Sequence, residues 1–382
     1  MTALLSPTHR FWLLLSLCML GFGLLYAVVR DAGRGARRRV LLKRIAALGE
    51  PAPGADERAV DAMREVMAQA LQAQRVSGRA TRLPLAKAAV PVPWLLCFGD
   101  AAANLPGLLA TAHGERVPPP NPASEASPFD GTWWHWWLTG ATVAVEVHPG
   151  AVGDTAGTPP LRGLWLQSLL ALAERRDRLP LNGLVVCVAA SELLHADAAE
   201  LKSLAARMRR LLDETGDTLR LQLPAYLVVT GLEQLTGYAA VRAALPPEVL
   251  SQALGHRLTE PSASLEPPAG ERFDAVFDPL AQHLHALRAA LLREQPGAAG
   301  RLAVHEFVEA LRALRPGLRQ FAQVLFEHHG KGSRAPRWRG LYLTACASQA
   351  SGGAFVHDLF EHFLPADQPL VRPGRASSTA PS

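Results

Sequence analysis

The residues best placed to do chemistry lie in the segment Gly99–Pro106, which follows the apolar run Trp94–Phe98. A strand that leads through such a loop into a helix is where nucleotide-binding domains carry the pattern G-x-x-x-x-G-K-[ST], which cradles phosphates. In this chain the second Gly is Asn104, the Lys is Leu105 and the Ser/Thr is Pro106. The layout of a phosphate loop is therefore kept, while its phosphate-binding groups are missing.

Each replacement removes a contact that a nucleotide needs. In a working loop the backbone N–H groups face the phosphates, the Lys neutralises their charge and the Ser/Thr binds Mg²⁺. Leu105 carries no charge, and Pro106 has neither a hydroxyl nor a backbone N–H. Asn104 can adopt a left-handed backbone, but less readily than Gly. We therefore expect no bound cofactor and no nucleotide hydrolysis.

The elements around this loop predict an α/β fold with a mostly parallel sheet. Strand-like apolar runs alternate with helical segments, which is typical of a parallel sheet covered on both faces. The predicted strands are Trp94–Phe98, Thr142–Val147, Gly183–Ala189, Ala225–Thr230 and Gly340–Thr344. The predicted helices are Asp56–Gln74, Leu161–Asp177, Ser191–Thr215, Phe273–Glu294, Leu302–His329 and Ala354–Phe363.

The N-terminus carries a predicted membrane anchor. The run Phe11–Val29 is uncharged and apolar, and it is long enough to cross the hydrocarbon core as one helix. Basic residues cluster directly after it, from Arg30 to Arg44, and such residues accumulate on the cytoplasmic side. A cleaved signal peptide fits less well, because its apolar core would be shorter and preceded by the charge. We expect a single-pass membrane protein with its bulk in the cytoplasm.

The same patterns divide the chain into six predicted segments. They are a short non-cytoplasmic N-terminus (1–10), a transmembrane helix (11–29), a basic juxtamembrane segment with an amphipathic linker helix (30–90), an α/β domain (91–260), a mainly helical extension (261–364) and a disordered tail (365–382). The net charge of +5 is slight. No basic surface interleaved with aromatic residues recurs, so we expect no nucleic-acid partner.

An aromatic cluster formed by Trp133, Trp134, Trp136 and Trp137 has two open interpretations. Strand alternation would bury two of these rings and expose the other two. Such rings mostly fill cores, whereas exposed tryptophans favour protein interfaces. Both core packing and a protein-contact patch are therefore kept as hypotheses.

No metal site or nucleophile stands out. Cys18, Cys97, Cys187 and Cys346 are scattered without a C-x-x-C pair, which predicts free thiols in a reducing compartment. The segment His357–His362 has one residue too many for the inverted zinc motif H-x-x-E-H. No Ser lies in a G-x-S-x-G elbow.

Several stretches, in order, carry a resemblance to a known family. They are Pro93–Leu96 with Leu108-Leu109, Trp133-Trp134, Leu181–Val185 with Ser191–Leu194, Leu223–Thr230, and Arg339–Thr344 with Phe355–Phe360. Together they resemble the cytoplasmic region of the IcmF/TssM family, inner-membrane proteins of type VI secretion systems and the related type IVB systems. The resemblance implies a P-loop NTPase-like domain, here with degenerate motifs and so a pseudo-GTPase.

The resemblance also identifies two further nucleotide motifs, both degraded. The family's D-T-A-G falls on Val147 to Gly150, with Val147 at the Asp position. Glu146 is one residue off, and strand alternation would point it to the other face. The family's T-K-x-D falls on Thr230, Gly231 and Glu233, so that Gly replaces the Lys and the longer Glu replaces the Asp.

The chain also departs from the family's architecture. Family members typically have a two-helix membrane hairpin, a third span after the cytoplasmic domain and a large periplasmic region. This chain has one predicted span and stops near where the third would begin. We therefore expect a short paralogue or a truncated product.

The resemblance implies a non-catalytic structural or regulatory component of a type VI secretion membrane complex, with a single span in the bacterial inner membrane. The resemblance implies membrane-complex and baseplate partners, TssL-like and TssK-like. One alternative is a membrane-tethered GTP- or ATP-binding protein with residual NTPase switch activity. Another is a non-functional fragment of a split gene.

Overall fold

The computed structural model describes residues 7–46, 55–76, 92–117, 134–153, 159–176, 179–258, 267–295, 297–327, 337–347 and 352–373. The strands are β1 (Trp94–Gly99), β2 (Glu115–Val117), β3 (Trp134–Leu138), β4 (Val143–Val147), β5 (Gly183–Ala189), β6 (Leu221–Gln222), β7 (Pro224–Thr230), β8 (Leu254–Arg257), β9 (Arg337–Leu343) and β10 (Arg372–Pro373). The α-helices are α1 (Pro7–Ala46), α2 (Ala55–Val76), α3 (Leu105–Thr111), α4 (Pro159–Arg175), α5 (Ala190–His195), α6 (Ala198–Leu219), α7 (Tyr238–Ala244), α8 (Pro247–Ser251), α9 (Ala269–Glu294), α10 (Ala298–Ala313), α11 (Arg315–Phe326) and α12 (Leu364–Ala366).

An eight-stranded sheet forms the centre of the fold, in the order β2-β3-β4-β1-β5-β7-β9-β8. The five inner strands β4, β1, β5, β7 and β9 run parallel. The strands β2, β3 and β8 at the two edges pair antiparallel. The predicted α/β class with a mostly parallel sheet is therefore confirmed. The parallel strands are buried along their whole length, which explains the continuous apolar sequence of strands such as β1 and β5.

The two faces of the sheet are covered by different elements. On one face Leu96 and Phe98 of β1 belong to a large core that includes residues of α2, α4, α6 and α9–α11. On the other face Leu95 and Cys97 belong to a smaller core with residues of α3 and of the segment 356–364. The alternation of side chains along a strand therefore separates the two cores.

The long helices α9–α11 do not form a unit separate from the sheet. They lie between β8 and β9 in the chain, and β9 returns to the sheet between β7 and β8. The predicted boundary at residue 260 therefore does not divide two parts of the structure. The predicted helix Leu302–His329 is two helices, α10 and α11, which meet at Leu314 just before Pro316. Likewise Ser191–Thr215 is split into α5 and α6, because Asp197 starts a new helix with a capping box.

The N-terminal helix α1 is continuous over 40 residues. Its apolar side chains are exposed, for example Trp12 at 65% and Phe22 at 71%, whereas Leu41 near its C-terminal end is fully buried. Arg44 Nη1 donates a hydrogen bond to Thr218 Oγ1 of α6 at 2.9 Å, so this end of α1 contacts the body of the protein. In the described part of the chain, no helix combines the length and apolar character required to cross a membrane.

The prediction of a disordered tail from residue 365 is wrong for residues 365–373. Asp367 is buried, and β10 pairs antiparallel with β6. This order depends on contacts with Tyr226 and Arg339, which are far away in the sequence. Residues 374–382 lie outside the described residues.

Candidate functional site

The candidate site lies at the carboxyl end of β1. In the sheet β1 lies between β4 and β5. The chain forms β4 on one side of β1 and later forms β5 on the other side. In open α/β sheets, ligands bind outside the carboxyl ends of the strands at such a switch point. The carboxyl ends of β4 and β7 face the same edge because these strands run parallel with β1 and β5. The structure thus brings the three sequence-predicted motif positions to one edge of the sheet.

The loop after β1 is a tight turn that bonds to itself. Asp100 begins a 3₁₀ turn over Ala101–Ala103, and its Oδ1 accepts a hydrogen bond from the Ala103 N–H at 3.1 Å. A Cβ added at Gly99 would lie 2.8 Å from the Cys187 carbonyl oxygen, so glycine is required for this close approach. The backbone N–H groups of Ala103 and Asn104 both donate within the turn. These N–H groups are therefore not available to a phosphate.

At the second glycine position of the motif, Asn104 has a left-handed backbone, with φ 45° and ψ 55°. Its side-chain Oδ1 accepts a hydrogen bond from the Gly107 N–H at 3.2 Å and so caps α3. Asparagine tolerates this conformation better than most residues, and it is among the best N-cap residues. The replacement of Gly by Asn therefore keeps the shape of the loop and uses another N–H group of the helix.

At the Lys position of the motif, Leu105 points into the protein. Its side chain is 3% exposed and belongs to the smaller core with Leu108 and Leu109. Pro106 follows in the first turn of α3, where a missing N–H costs nothing to the helix. The helix start is thus built for packing rather than for holding an anion.

The loop also carries a carboxylate where a phosphate site would be positive. Burial raises the pKa of Asp100, and the nearby Glu192 raises it further, against the hydrogen bond from Ala103 and the charge of Arg207. A phosphate placed at this turn would meet these like charges. Asp100 was not singled out from the sequence, although an Asp before a helical turn is a readable cap signal.

The second motif begins at a buried residue and has no acidic group at the expected position. Val147 is fully buried in the large core. Glu146 lies on the other face, as strand alternation predicts, and its Oε2 accepts a hydrogen bond from Trp137 Nε1 at 2.6 Å. The Nδ1 of His148 accepts a hydrogen bond from the Gly150 N–H at 3.1 Å. Burial lowers the pKa of His148, and the neighbouring His135 adds to this effect against the attraction of Glu146.

The loop of the third motif is held by a hydrogen bond within the protein. Gly231 has a φ of 84°, which favours glycine, and the preceding Thr230 is buried. The carboxylate of Glu233 accepts a hydrogen bond from the Cys346 N–H at 2.8 Å. Glu233 therefore ties the loop after β7 to the loop after β9. The Oγ1 of Thr230 has no hydrogen-bond partner among the described residues.

The described tryptophans of this cluster lie in the core. Trp134, Trp136 and Trp137 are at most 7% exposed. The expectation that alternation would expose two of the rings is wrong, because β3 is covered on both faces. Trp134 and Trp136 pack in the large core and Trp137 packs in the smaller one. Trp133 lies outside the described residues.

The thiols and histidines do not form a reactive or metal-binding group. Cys97, Cys187 and Cys346 are free and buried, and burial raises the pKa of each thiol, to about 12 for Cys346. Such protonated thiols are poor nucleophiles. His362 Nδ1 lies 2.6 Å from Asp358 Oδ1 on the surface. Within the residues that the structure describes, no group of three or more candidate ligands could hold a metal ion.

Comparison with known proteins points to one family. The model of the IcmF-related N-terminal domain matches residues 162–352. The type VI secretion system component TssM1 of Pseudomonas aeruginosa is 27% identical over 217 residues, which cover 56% of this chain and 20% of the relative. The chain thus spans about a fifth of the length of this curated relative. No solved structure matches the chain.

Proposed function

Because this chain belongs to the IcmF-related (IcmF/TssM) family, we propose that it acts in a type VI secretion system as a non-catalytic, membrane-anchored component. In this proposal the protein works through protein contacts as a structural or regulatory part of the membrane complex. Its α/β domain is a pseudo-GTPase that keeps the framework of a nucleotide site without the binding groups.

One observation carries the non-catalytic part of the proposal. At the first and the third of the three degraded motifs, groups near the expected nucleotide position are used inside the protein. The Asp100 carboxylate accepts a hydrogen bond from a backbone N–H of the loop, and the Glu233 carboxylate accepts one from the backbone N–H of Cys346. The Leu105 side chain is buried in the core. A nucleotide would have to break these contacts before it could form its own.

The missing groups weaken any remaining affinity. The Lys, the Mg²⁺-binding hydroxyl and the acidic group of the second motif are replaced by Leu105, Pro106 and Val147. Each lost charge-assisted contact costs about 1–3 kcal/mol. Three such losses amount to about 3–9 kcal/mol, and a micromolar affinity corresponds to about 8 kcal/mol in total. Micromolar nucleotide binding is therefore not expected.

The apolar part of α1 supports the membrane attachment. From Phe11 to Leu25 its large apolar side chains are exposed, and in a globular protein such a surface favours contact with a membrane or a partner. Arg38 and Arg39, which are exposed at the following turns, fit a cytoplasmic, headgroup-facing position. Leu41 and Arg44 then join the helix to the body of the protein.

By analogy with the relatives, we propose TssL-like and TssK-like proteins as partners. This part of the proposal rests on the family alone. Affinity capture of the membrane-embedded full chain from its own host tests it, followed by identification of the captured proteins. Recovery of secretion components supports the role, and a capture without any of them removes its basis.

Calorimetry with GTP, ATP and Mg²⁺ on the purified full chain tests the non-catalytic reading. We expect no heat of binding at micromolar nucleotide and no phosphate release. An active GTPase measured under the same conditions serves as the positive control. Micromolar binding with turnover would instead support a membrane-tethered NTPase switch, whose framework of three motifs at one sheet edge is still in place.

A further inference from the structure

The C-terminal segment 356–373 lies across the smaller core like a strap. Val356, Leu359, Phe360 and Leu364 are buried against the sheet face that carries Leu95, Cys97 and Cys187. Beyond α3, this segment contributes the remaining helical cover of that face among the described residues. Residues 356–373 are called the strap below.

The strap starts at a strained residue. Phe355 has a φ of 66°, which is rare for a bulky side chain and strains its backbone. The ring is buried, and the Phe355 N–H donates to the Leu250 carbonyl oxygen at 2.6 Å. The surrounding contacts therefore hold Phe355 in a conformation that it would leave if it were released.

Near its C-terminal end the strap carries a buried ion pair, which is called the latch below. Asp367 is 4% exposed, and its carboxylate accepts a hydrogen bond from Tyr226 Oη of β7 at 2.8 Å. It also accepts from Arg339 of β9 at 3.2 and 3.3 Å, and Arg257 of β8 lies 3.5 Å away. One side chain of the strap thus meets three neighbouring strands.

The middle of the strap is irregular. Leu359–Phe363 form a single π-helical turn rather than a regular α-helix, and such turns are frequent at functional sites. The Phe363 ring meets Tyr342 edge-on, with the ring centroids 5.9 Å apart. The Tyr342 hydroxyl beneath it is buried and has no hydrogen-bond partner among the described residues. These contacts are mostly apolar and lack an ion pair to the sheet.

We propose that the strap is a releasable cover of the sheet, hinged at Phe355 and latched by Asp367. A nucleotide does not drive this change. Opening breaks the contacts of the Asp367 carboxylate, the hydrogen bond from Arg257 to the Phe363 carbonyl oxygen and the pairing of β10 with β6. It relieves the backbone of Phe355 and exposes the sheet face that the strap covers. The strap therefore has a closed and an open conformation, on the sheet face next to the degraded phosphate loop.

The chain supplies its own reporters of this opening. Cys97 and Cys187 lie in the same core as the buried residues of the strap and are fully buried, whereas Cys18 is exposed on α1. In a Cys18→Ser background of the full chain, a maleimide can modify a thiol only after the core has opened. When closing is fast, the labelling rate follows the population of the open form.

The test compares two variants of acidic residues on the strap. Asp367→Asn removes the charge of the latch, whereas Asp358→Asn removes a surface pair with His362 and is the matched control. Loss of one partner of a buried ion pair should raise the open population by about 100-fold. We expect labelling of Cys97 and Cys187 to become about 100-fold faster in Asp367→Asn and to stay unchanged in Asp358→Asn.

The Cys18→Ser protein itself provides a second measurement if Asp367→Asn fails to fold. Its labelling rate is recorded at increasing urea concentrations below the unfolding transition. A rate nearly independent of urea indicates local opening, because little surface is exposed, and it supports the strap. A rate with the full urea slope of global unfolding overturns the proposal, as does equal labelling of the two Asn variants.

Discussion

The substitution Leu105→Lys, which restores the phosphate-loop lysine, should destabilise the protein without creating a nucleotide site. Leu105 is 3% exposed, so its side chain is almost entirely removed from water. Removing the packing of a buried leucine lowers the free energy of unfolding by about 2–5 kcal/mol. The loss is near the lower end of this range where the surrounding residues can collapse into the space. The lysine stem recovers part of the packing, but its charge lies at the positive end of α3, which costs about 0.3–1 kcal/mol. We expect a net loss of about 3 kcal/mol.

Thermal unfolding followed by circular dichroism measures this loss. For a domain of this size 3 kcal/mol corresponds to a decrease of about 6–12 °C in Tm. Leu302→Lys is the matched control, because Leu302 is 56% exposed on α10 and should change Tm by little. Leu105→Met, which keeps the volume, should cost under about 1.5 kcal/mol.

Calorimetry with GTP and Mg²⁺ on Leu105→Lys completes the test. We expect no micromolar binding, because the N–H groups of Ala103 and Asn104 remain bonded within the turn. The reasoning is refuted if Leu105→Lys is as stable as Leu302→Lys and binds nucleotide. In that case Leu105 would cover a site that is ready for use.

Three further predictions concern the other closed contacts. Glu233→Ala leaves the Cys346 N–H unpaired and should lower the free energy of unfolding, measured with urea, by about 1–3 kcal/mol. The control Glu248→Ala, at an exposed position, should lower it by less than about 0.5 kcal/mol. Equal losses would show that Glu233 does not support the loop. Phe355→Gly should be more stable than Phe355→Ala by about 1 kcal/mol, since both lose the ring but only glycine accepts a φ of 66° without strain; the reverse order would contradict the strain. For His148, whose pKa is below its ordinary value of 6.5 in the folded protein, the unfolded chain binds the proton first, so stability should fall as pH drops below 6.5. His148→Asn should reduce this fall between pH 7.5 and pH 5.5, and an unchanged slope would assign it to other groups.

Local sequence patterns were sufficient for most of the elements. The strand Gly183–Ala189 has the predicted bounds, because a fully buried parallel strand is a continuous apolar run between turn residues. The split between α5 and α6 was readable from Asp197 and Glu200, which form a capping box. These signals act over a few residues, and so they can be recognised without the fold.

The tertiary contacts were not readable in the same way. Trp134 and Trp137 alternate along β3, which suggested one buried and one exposed face, yet the fold covers both. Asp367 appeared in a polar, proline-containing tail, yet Arg339 and Tyr226 bury it. A charged residue is buried only if its partners are brought to it, and their positions depend on the order of the strands.

Residue types at fixed spacing were enough to show that Gly99–Pro106 has Asn104, Leu105 and Pro106 where a phosphate loop has its second glycine, its lysine and its hydroxyl. The sequence by itself also determined the alternation of strands and helices and the long apolar run near the N-terminus. The contacts that the residues at these positions make within the protein could be seen only in the tertiary structure. Leu105 is buried and Glu233 accepts a hydrogen bond from the Cys346 N–H because folding brings β1, β5, β7 and β9 side by side, whereas Asp100 caps its own turn through a local contact. Donors and acceptors separated by more than a hundred residues can satisfy each other only in that arrangement.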